Sequence, residues 1–582
     1  MAKAIPTGIS SFREIRSGNY YYVDKTMMIH ELLYPAPKKA VLITRPRRFG
    51  KSLNLSMLEC FLDITKNGES IFDGLKIMEY HEICNAYMHR FPVIHVSFKD
   101  IQANTSKADG SSDASALNAL KGTIGELAEQ YTFLLQSERL SDDEKIAFRQ
   151  ISARNRDTGG TRFLMSEDAL KNALKTLTDL LKKHYGQPAV ILMDEYDVPL
   201  NDAFEKGYYP EFVNIYRSIL SSALKDNDSL AFAVITGCLK ISKESIFTGV
   251  NNFYVNDVTS RKMSDAFGFS DQEVKDMLDE YGLGRHHEQV RRFYDGYRFG
   301  SRLAYNPWSV MTFIDDNIGI EEAQPRFSCG WIGTSGNDIL RKLLLKAEGD
   351  ANVAYDIEAL SHGTSITKRI LEQLTFENMY STADGIWTIM LHTGYLTCEN
   401  LMEEGNMMLR IPNEEVLRSL DDLVSEIAVQ QTEKGRFLRL FCEAVESFRP
   451  QEIERTLNLI LDNSVSLRDT ATKAVKENYY HGIMNAALLY RSDWIRTSNP
   501  ETGSGYCDIM VENSAEDWGI VFELKYSGNA DDFNAALDEA TRQILTCQYA
   551  RRLKKKRYHT IHLYAAAFHG TQCRVREVHE PV

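Results

Sequence analysis

Val41-Leu42-Ile43-Thr44-Arg45-Pro46-Arg47-Arg48-Phe49-Gly50-Lys51-Ser52 is the stretch whose reading decides the fold. An apolar run enters it. A helical pattern leaves it, with Leu55, Leu58 and Leu62 on one stripe and Leu53, Met57 and Phe61 beside it. Strand, tight loop and helix in that order, with Gly50-Lys51-Ser52 opening the helix, is the context that a phosphate-binding P-loop needs. Backbone N–H groups and the positive helix end hold phosphate, the lysine reaches the β and γ oxygens, and the serine hydroxyl ligates Mg²⁺. Arg47, Arg48 and Phe49 complete the expected nucleotide-binding loop. A full motif carries glycine where this chain has Arg45, and Gly-Lys-Ser alone also fits an ordinary strand-to-helix turn with a solvated basic rim.

A matching acidic strand lies far downstream. Ala189-Val190-Ile191-Leu192-Met193-Asp194-Glu195 is an apolar run closing on two acids, the Walker B pattern. A buried strand would carry Asp194 to its carboxyl end, where open α/β sheets place their ligands. Asp194 is expected to hold Mg²⁺ through water and Glu195 to polarise the attacking water. Leu230–Gly237 reads as a core strand whose polar end, Thr236 with Lys240 beyond it, would sit near the γ-phosphate as a sensor; a plain glycine turn is the other reading. With Pro92–Phe98 as a further buried strand, the alternation of strands and helices predicts a mostly parallel sheet covered on both faces. Ahead of the loop, Tyr20–Thr26 and the apolar Ile29, Leu32 and Leu33 read as core packing or as a segment lying over the base.

Polar stretches at Ser106–Ser115 and Asn155–Gly160 read as surface loops within a helical region from Gln102 to Gln187. Asp265 to Asp315 reads as a helical lid, with Tyr294, Tyr297, Tyr305 and Trp308 as packing residues. Helices and a hairpin-like stretch around Leu391–Ile411 follow, a winged-helix-like spacer.

A second constellation closes the chain. A helix around Thr470–Tyr490 carries Glu477, Tyr480 and His481; short strands follow, with a glycine turn at Gly503-Ser504-Gly505 before Tyr506-Cys507-Asp508. Next come Gly519–Lys525, a long helix from Asp531 to Lys554 and a final buried strand at His559–Ala566. Side chains alternate across a strand, so Glu523 and Lys525 share one face while Ile520, Phe522 and Leu524 take the other. Asp508 and Glu523 make a hard oxygen site suited to Mg²⁺, and Lys525 beside them can orient water or balance phosphate charge. The competing reading is a Glu-Lys salt bridge on an edge strand. The basic block Arg551, Arg552, Lys554, Lys555, Lys556 and Arg557 fits a solvated face at a helix end or a phosphate-backbone contact.

With 582 residues the chain has room for three or four domains, and its net charge of −14 argues against a general basic coat for nucleic acid. Nine cysteines without a C-x-x-C pair fit a reducing cytoplasm, and no apolar stretch is long enough to span a bilayer. A cytoplasmic location without membrane contact is expected.

The chain resembles a bacterial and archaeal family, the predicted AAA-ATPase-like proteins fused to a C-terminal PD-(D/E)XK nuclease-superfamily domain. The resemblance is carried by Tyr22–Thr26, Arg45–Leu53, Asp194-Glu195-Tyr196-Asp197, Lys243–Phe247, Asn251-Asn252, Tyr294–Tyr297, Tyr305–Ser309, Gly394-Tyr395-Leu396 and Ile411-Pro412-Asn413. It implies that Arg45 in place of glycine is a family habit. It puts ATP on Lys51, Ser52, Asp194 and Glu195, and nuclease chemistry on Asp508, Glu523 and Lys525. Lys240 stands where the family usually has arginine, and so does Tyr506. The expected architecture is α/β: a P-loop NTPase core with a parallel sheet (1–260), a helical lid (261–318), a mixed middle region (319–450) and an α/β restriction-endonuclease-like domain (451–582). The expected function is ATP binding and hydrolysis coupled to a Mg²⁺-dependent nuclease acting on DNA or RNA. An ATP-switched binding module with an inactive nuclease fold is the alternative, and oligomerisation is left open.

Overall fold

Long apolar runs that end in polar residues become buried parallel strands with their chemistry at the carboxyl end, and this chain contains several. The computed structural model describes residues 3–580 except 69, 102–111, 156–161, 242–252, 321–324, 330–350, 362, 373, 377, 378, 380, 381, 403, 404, 432–434, 463–472, 489, 492, 493, 499, 500, 503, 504, 514 and 529–532. The stretches Lys243–Phe247 and Asn251-Asn252, most of the two polar loops, Gly503-Ser504 and the side chain of Glu477 lie outside the described residues. The chain forms two compact units, Met1–Ala347 with Gly363–Leu417, and Glu348–His362 with Arg418–Val582. No helix among the described residues is long and apolar enough to cross a membrane.

In the first unit β1 (Ala40–Thr44), β2 (Val93–Ser97), β3 (Ala189–Asp194), β4 (Leu230–Gly237) and β5 (Phe253–Asn256) form a five-stranded sheet in the order β2-β3-β4-β1-β5. All four pairings are parallel. Every residue of β1 and β3 is buried, as unbroken apolar runs require. Helix α1 (Lys51–Leu62) leaves β1 and buries Leu55, Met57, Leu58, Phe61 and Leu62. The expected helical region supplies Ser112–Glu129, Asp142–Ser152 and Glu167–Tyr185, the second opened by a Ser141/Glu144 capping box.

The region expected as a lid is built on α2 (Asp271–Glu280), opened by a Ser270/Glu273 capping box, and α3 (Pro307–Asn317), opened by the Asn306 side chain. Several of the quoted motif blocks meet here. Asn413 donates to the Asp295 carbonyl at 2.9 Å, and Ser309 donates to Glu415 at 2.8 Å. Gly296 has φ +105°, and a Cβ there would lie 2.1 Å from the Pro412 carbonyl oxygen, so only glycine fits. The stretch around 391–411 does form a hairpin, Thr397–Leu401 against Asn406–Arg410, extended by Ile366–Arg369 into a three-stranded antiparallel sheet.

Arg45 explains the missing glycine. Its side chain is fully buried; it donates to the Thr44 carbonyl at 2.7 Å and to the carbonyl and side-chain oxygens of Asn256 at 3.1 and 2.7 Å. Its guanidinium also lies over the rings of Phe267 and Phe299. Phe49 is likewise 1% exposed and meets Tyr297 and Phe299 edge-on. Two members of the loop are therefore packing residues, anchoring it to β5 and to the short lid hairpin formed by Tyr297–Phe299 and Arg302–Ala304.

The second unit carries β6 (Ile495–Ser498), β7 (Ile509–Asn513), β8 (Trp518–Tyr526), β9 (Thr560–His569) and β10 (Gln572–Glu577), neighbours in that order. Only β8 and β9 run parallel. Strand β8 is central and buried on both faces, which excludes the edge-strand salt bridge. Ile520, Phe522 and Leu524 face one core, formed with Leu457, Tyr480 and Met484 among others; Val521 faces a second, formed with α5 (Phe533–Thr546). The expected single helix to Lys554 is instead α5 and α6 (Ala550–Lys555). Gln548 turns left-handed at φ 53°, ending α5 and directing Tyr549 into the second core.

Replacing Arg45 with glycine, which restores the usual motif, should destabilise the protein. The Asn256 oxygens lose their donors and a void opens beneath the lid, together about 2–5 kcal/mol. Thermal unfolding of Arg45→Gly checks this, and a melting temperature equal to wild type would contradict it.

Candidate functional site

The phosphate loop, held from outside by Arg45 and Phe49, turns through two left-handed residues. Arg48 and Gly50 are left-handed at φ 65° and 86°, and α1 begins at Lys51. Arg48 stacks on Trp308 at 4.4 Å. Lys51 is 6% exposed and donates to the carbonyls of Arg45 and Pro46, each at 3.0 Å, with the Cys238 sulfur 3.5 Å away. The ammonium thus occupies the loop's interior, where carbonyl dipoles satisfy it.

Asp194 ends β3 and gathers two hydroxyls. Ser52 donates to its Oδ2 at 2.5 Å, and Thr236 at the end of β4 donates to its Oδ1. Helix start, β3 and β4 therefore meet on one carboxylate. Glu195 follows with φ 55°; burial, then the Asp194 charge, raises its carboxyl above the ordinary range, which suits a base. Tyr196 and Asp197 are structural: the Tyr196 hydroxyl donates to the Leu239 carbonyl at 2.8 Å, and Asp197 accepts from the N–H groups of Cys238 and Leu239.

A cavity of about 560 Å³ opens beside these groups, lined by Arg47–Asn54, Lys99 and Glu195 on its polar side. Its apolar side has Ile9, Tyr21, Tyr22 and Val23 from the N-terminal segment and Phe269, Met277 and Trp308 from the lid. Lys25 also lines it and bridges to Glu273 of α2 at 2.8 Å. Lys240 does not join this group. It is absent from the cavity lining, and its ammonium pairs with Asp257 at 2.9 Å. Burial would raise Asp257, but Lys240 and the buried His392 hold it well below the carboxylate range. Lys99, two residues beyond the end of β2, was not a sequence candidate; its position past the carboxyl end of a core strand was the available signal.

In the second unit Asp508 immediately precedes β7, while Glu523 and Lys525 share a face of β8. Asp508 Oδ2 accepts the Leu524 N–H at 2.7 Å, fixing it beside the strand. Lys525 donates to Glu523 Oε1 at 2.8 Å; Glu523 is 1% exposed, and its Oε2 has no hydrogen-bond partner among the described residues. Burial, and then the Asp508 charge, pushes the Glu523 carboxyl up to about 7 despite Lys525. Helix α4 (Lys473–Leu488) reaches the site through His481, whose Nε2 lies 3.0 Å from the Asp508 carbonyl oxygen. On the far side Gln543 donates to the Tyr549 hydroxyl at 3.0 Å. The structure brings Asp508, Glu523 and Lys525 together and puts Glu477 on α4, its side chain undescribed.

Both donor sets suit a hard cation. Ser52 and Asp194 offer oxygen only, and the buried, unpartnered Glu523 Oε2 calls for a proton or a cation. No cluster of three or more His, Cys, Asp or Glu side chains suited to a metal occurs among the described residues; Mg²⁺ needs only one or two carboxylates, with water completing its direct ligands. In the basic block Lys556 pairs with the buried Glu512 at 2.7 Å and Lys554 pairs with Glu580, while Lys555 and Arg557 are exposed.

Residues 6–247 match the family described as "Predicted AAA-ATPase", and residues 475–578 match the PD-(D/E)XK nuclease superfamily. Over 428 residues the chain is 26% identical to a protein of Azotobacter chroococcum mcd 1 described as "Uncharacterized protein in vnfD 5'region", covering 72% of this chain and 69% of that one. The N-terminal match spans β1 to β4 with the phosphate loop, and the C-terminal match spans α4 to β10 with the Asp508, Glu523 and Lys525 cluster.

The raised Glu523 carboxyl sets a pH dependence. The folded, metal-free protein keeps a proton there that the unfolded chain releases near its ordinary value of about 4.3. Its contribution to stability is therefore full below that value and is lost as pH rises toward about 7. Urea midpoints measured with chelator from pH 5 to 8 should fall more steeply for wild type than for Glu523→Gln. Parallel pH profiles for the two proteins would contradict the assignment.

Proposed function

For a chain that joins a predicted AAA-ATPase region to a PD-(D/E)XK nuclease-superfamily region, we propose an ATP-hydrolysing P-loop protein that also carries a Mg²⁺-dependent nuclease site for DNA or RNA. The observation that carries the first half is the convergence of Lys51, Ser52 and Glu195 on one cavity, with Asp194 bonded to Ser52. Lys51 leaves its loop carbonyls for the β and γ oxygens of the nucleotide, an exchange of weak dipole contacts for charge-assisted ones. Ser52 and Asp194 are the residues that would hold Mg²⁺, Asp194 through water; the bound ion neutralises charge on the phosphates. Glu195, with its raised affinity for protons, takes the proton of the attacking water. The apolar side of the cavity supports a nucleoside lying between Tyr21-Tyr22 and the lid.

For the second half the carrying observation is the buried Glu523 oxygen without a donor among the described residues. Asp508 and Glu523 would hold the metal, which supplies a water of lowered pKa and charge stabilisation at phosphorus. Lys525 then turns its ammonium from Glu523 to the scissile phosphate or the water. Exposed Lys555 and Arg557 support a phosphate-backbone contact.

Two variants of the full chain test the two halves. Glu195→Gln should keep Mg²⁺-ATP binding while phosphate release falls about 100-fold or more. Asp508→Ala should abolish Mg²⁺-dependent cleavage of single- and double-stranded DNA and RNA substrates while leaving ATP turnover near wild type. Equal cleavage by wild type and Asp508→Ala would remove the nuclease assignment, and retained nucleic-acid binding without cleavage across metals would favour a binding module.

A further inference from the structure

Two lysines outside the P-loop pattern line the nucleotide cavity: Lys25, which is bonded to Glu273, and Lys99. Lys99 lines it together with Lys51, Ser52 and Glu195, is exposed, and its ammonium has no hydrogen-bond or ion-pair partner among the described residues. Its backbone is held firmly. Ser97 lies in register with Asp194 across the parallel β2/β3 pairing, and the Phe98 N–H donates to the Asp194 carbonyl at 3.0 Å. Phe98 is itself fully buried, edge-on to Tyr216 at 5.5 Å. Lys99 therefore emerges at the carboxyl end of the sheet, past the strand paired with the one that ends in Asp194, on the wall of the cavity that Lys51, Ser52 and Glu195 also line.

Among the described residues beyond β4, on the opposite side of Asp194, no uncommitted cation takes this place. Beyond β4 the lysine that might serve, Lys240, is committed to Asp257, and the strand end is pinned by Asp197 on the Cys238 and Leu239 N–H groups. We propose that Lys99 is the terminal-phosphate cation of this site: it distinguishes a nucleoside triphosphate from a diphosphate and balances charge at the γ-phosphoryl group during hydrolysis. This rests on the ATP reading above. The water oxygen bonds to γ-phosphorus and its proton passes to Glu195. The bond from γ-phosphorus to the bridging oxygen breaks, and its electron pair stays with the departing diphosphate. Lys51 serves the β and γ oxygens, and Lys99 the γ oxygens on the side of the attacking water, the place of a charge-stabilising cation in phosphoryl transfer.

The test compares the full-length wild type, Lys99→Ala and Lys99→Arg by calorimetric titration with Mg²⁺-ADP and a Mg²⁺-bound non-hydrolysable ATP analogue, and by phosphate release at saturating ATP. Being exposed, Lys99 can be replaced without disturbing a core; unchanged ADP affinity verifies that the site is intact. Lys99→Ala should hold ADP within about twofold, lose about tenfold in affinity for the triphosphate analogue, and turn over about 10- to 100-fold more slowly, with Lys99→Arg recovering most of both losses. An unchanged ratio of triphosphate to diphosphate affinity in Lys99→Ala, with wild-type turnover, would overturn this inference and leave the ATP reading standing. Failure of the wild type to bind either nucleotide would overturn both.

Discussion

A charged side chain sealed from water must find its partners inside the protein, and Arg45 finds them for its two terminal nitrogens in Thr44 and Asn256, with two aromatic rings against the guanidinium. The loop before α1 inherits its position from this one guanidinium, whose two terminal nitrogens are paired while its Nε has no hydrogen-bond partner among the described residues. Asn256 ends β5, and Phe299 belongs to the lid hairpin, so the loop is tied to the sheet edge and to the lid at once. Phe49 adds an apolar plug in the same direction. A loop built from glycine would reach its shape through backbone freedom. Here side-chain packing fixes it, leaving Lys51, Ser52 and the helix start facing the cavity.

The two units use similar physics for different chemistry. In the first, one carboxylate is shared by hydroxyls from two other elements, so Asp194 is held in place before any ligand arrives. In the second, Asp508 is fixed by a backbone N–H of β8, while Glu523 keeps one buried oxygen without a donor among the described residues. The first arrangement is preorganised by satisfied hydrogen bonds. The second is poised by an unsatisfied one, and the raised Glu523 carboxyl is its electrostatic signature.

The α/β class and the core strands of the P-loop sheet were legible in the sequence because each strand is a continuous apolar run with polar residues at one end. The pairing of Glu523 with Lys525 followed from strand alternation alone. What stayed hidden depended on distant partners. Arg45 meets Asn256 across 211 positions, and nothing near the loop distinguishes a buried arginine from a solvated one. Lys240 turns away because Asp257 stands opposite, a contact made only once β5 is laid beside β1. The central place of β8, with two cores instead of one, and the break at Gln548 that sends Tyr549 inward are tertiary choices that local propensity does not encode. Lys99 escaped notice because a lysine after a strand is commonplace; only the shared cavity gives it meaning.

The most direct measurement of the central claim is a structure of the full chain with Mg²⁺ and a non-hydrolysable ATP analogue. The account predicts phosphate density at the N-terminus of α1, with Lys51 withdrawn from the Arg45 and Pro46 carbonyls and directed at it, and Arg45 unmoved against Asn256. Nucleotide bound elsewhere, or an empty loop with Lys51 still on those carbonyls at saturating ligand, would contradict it.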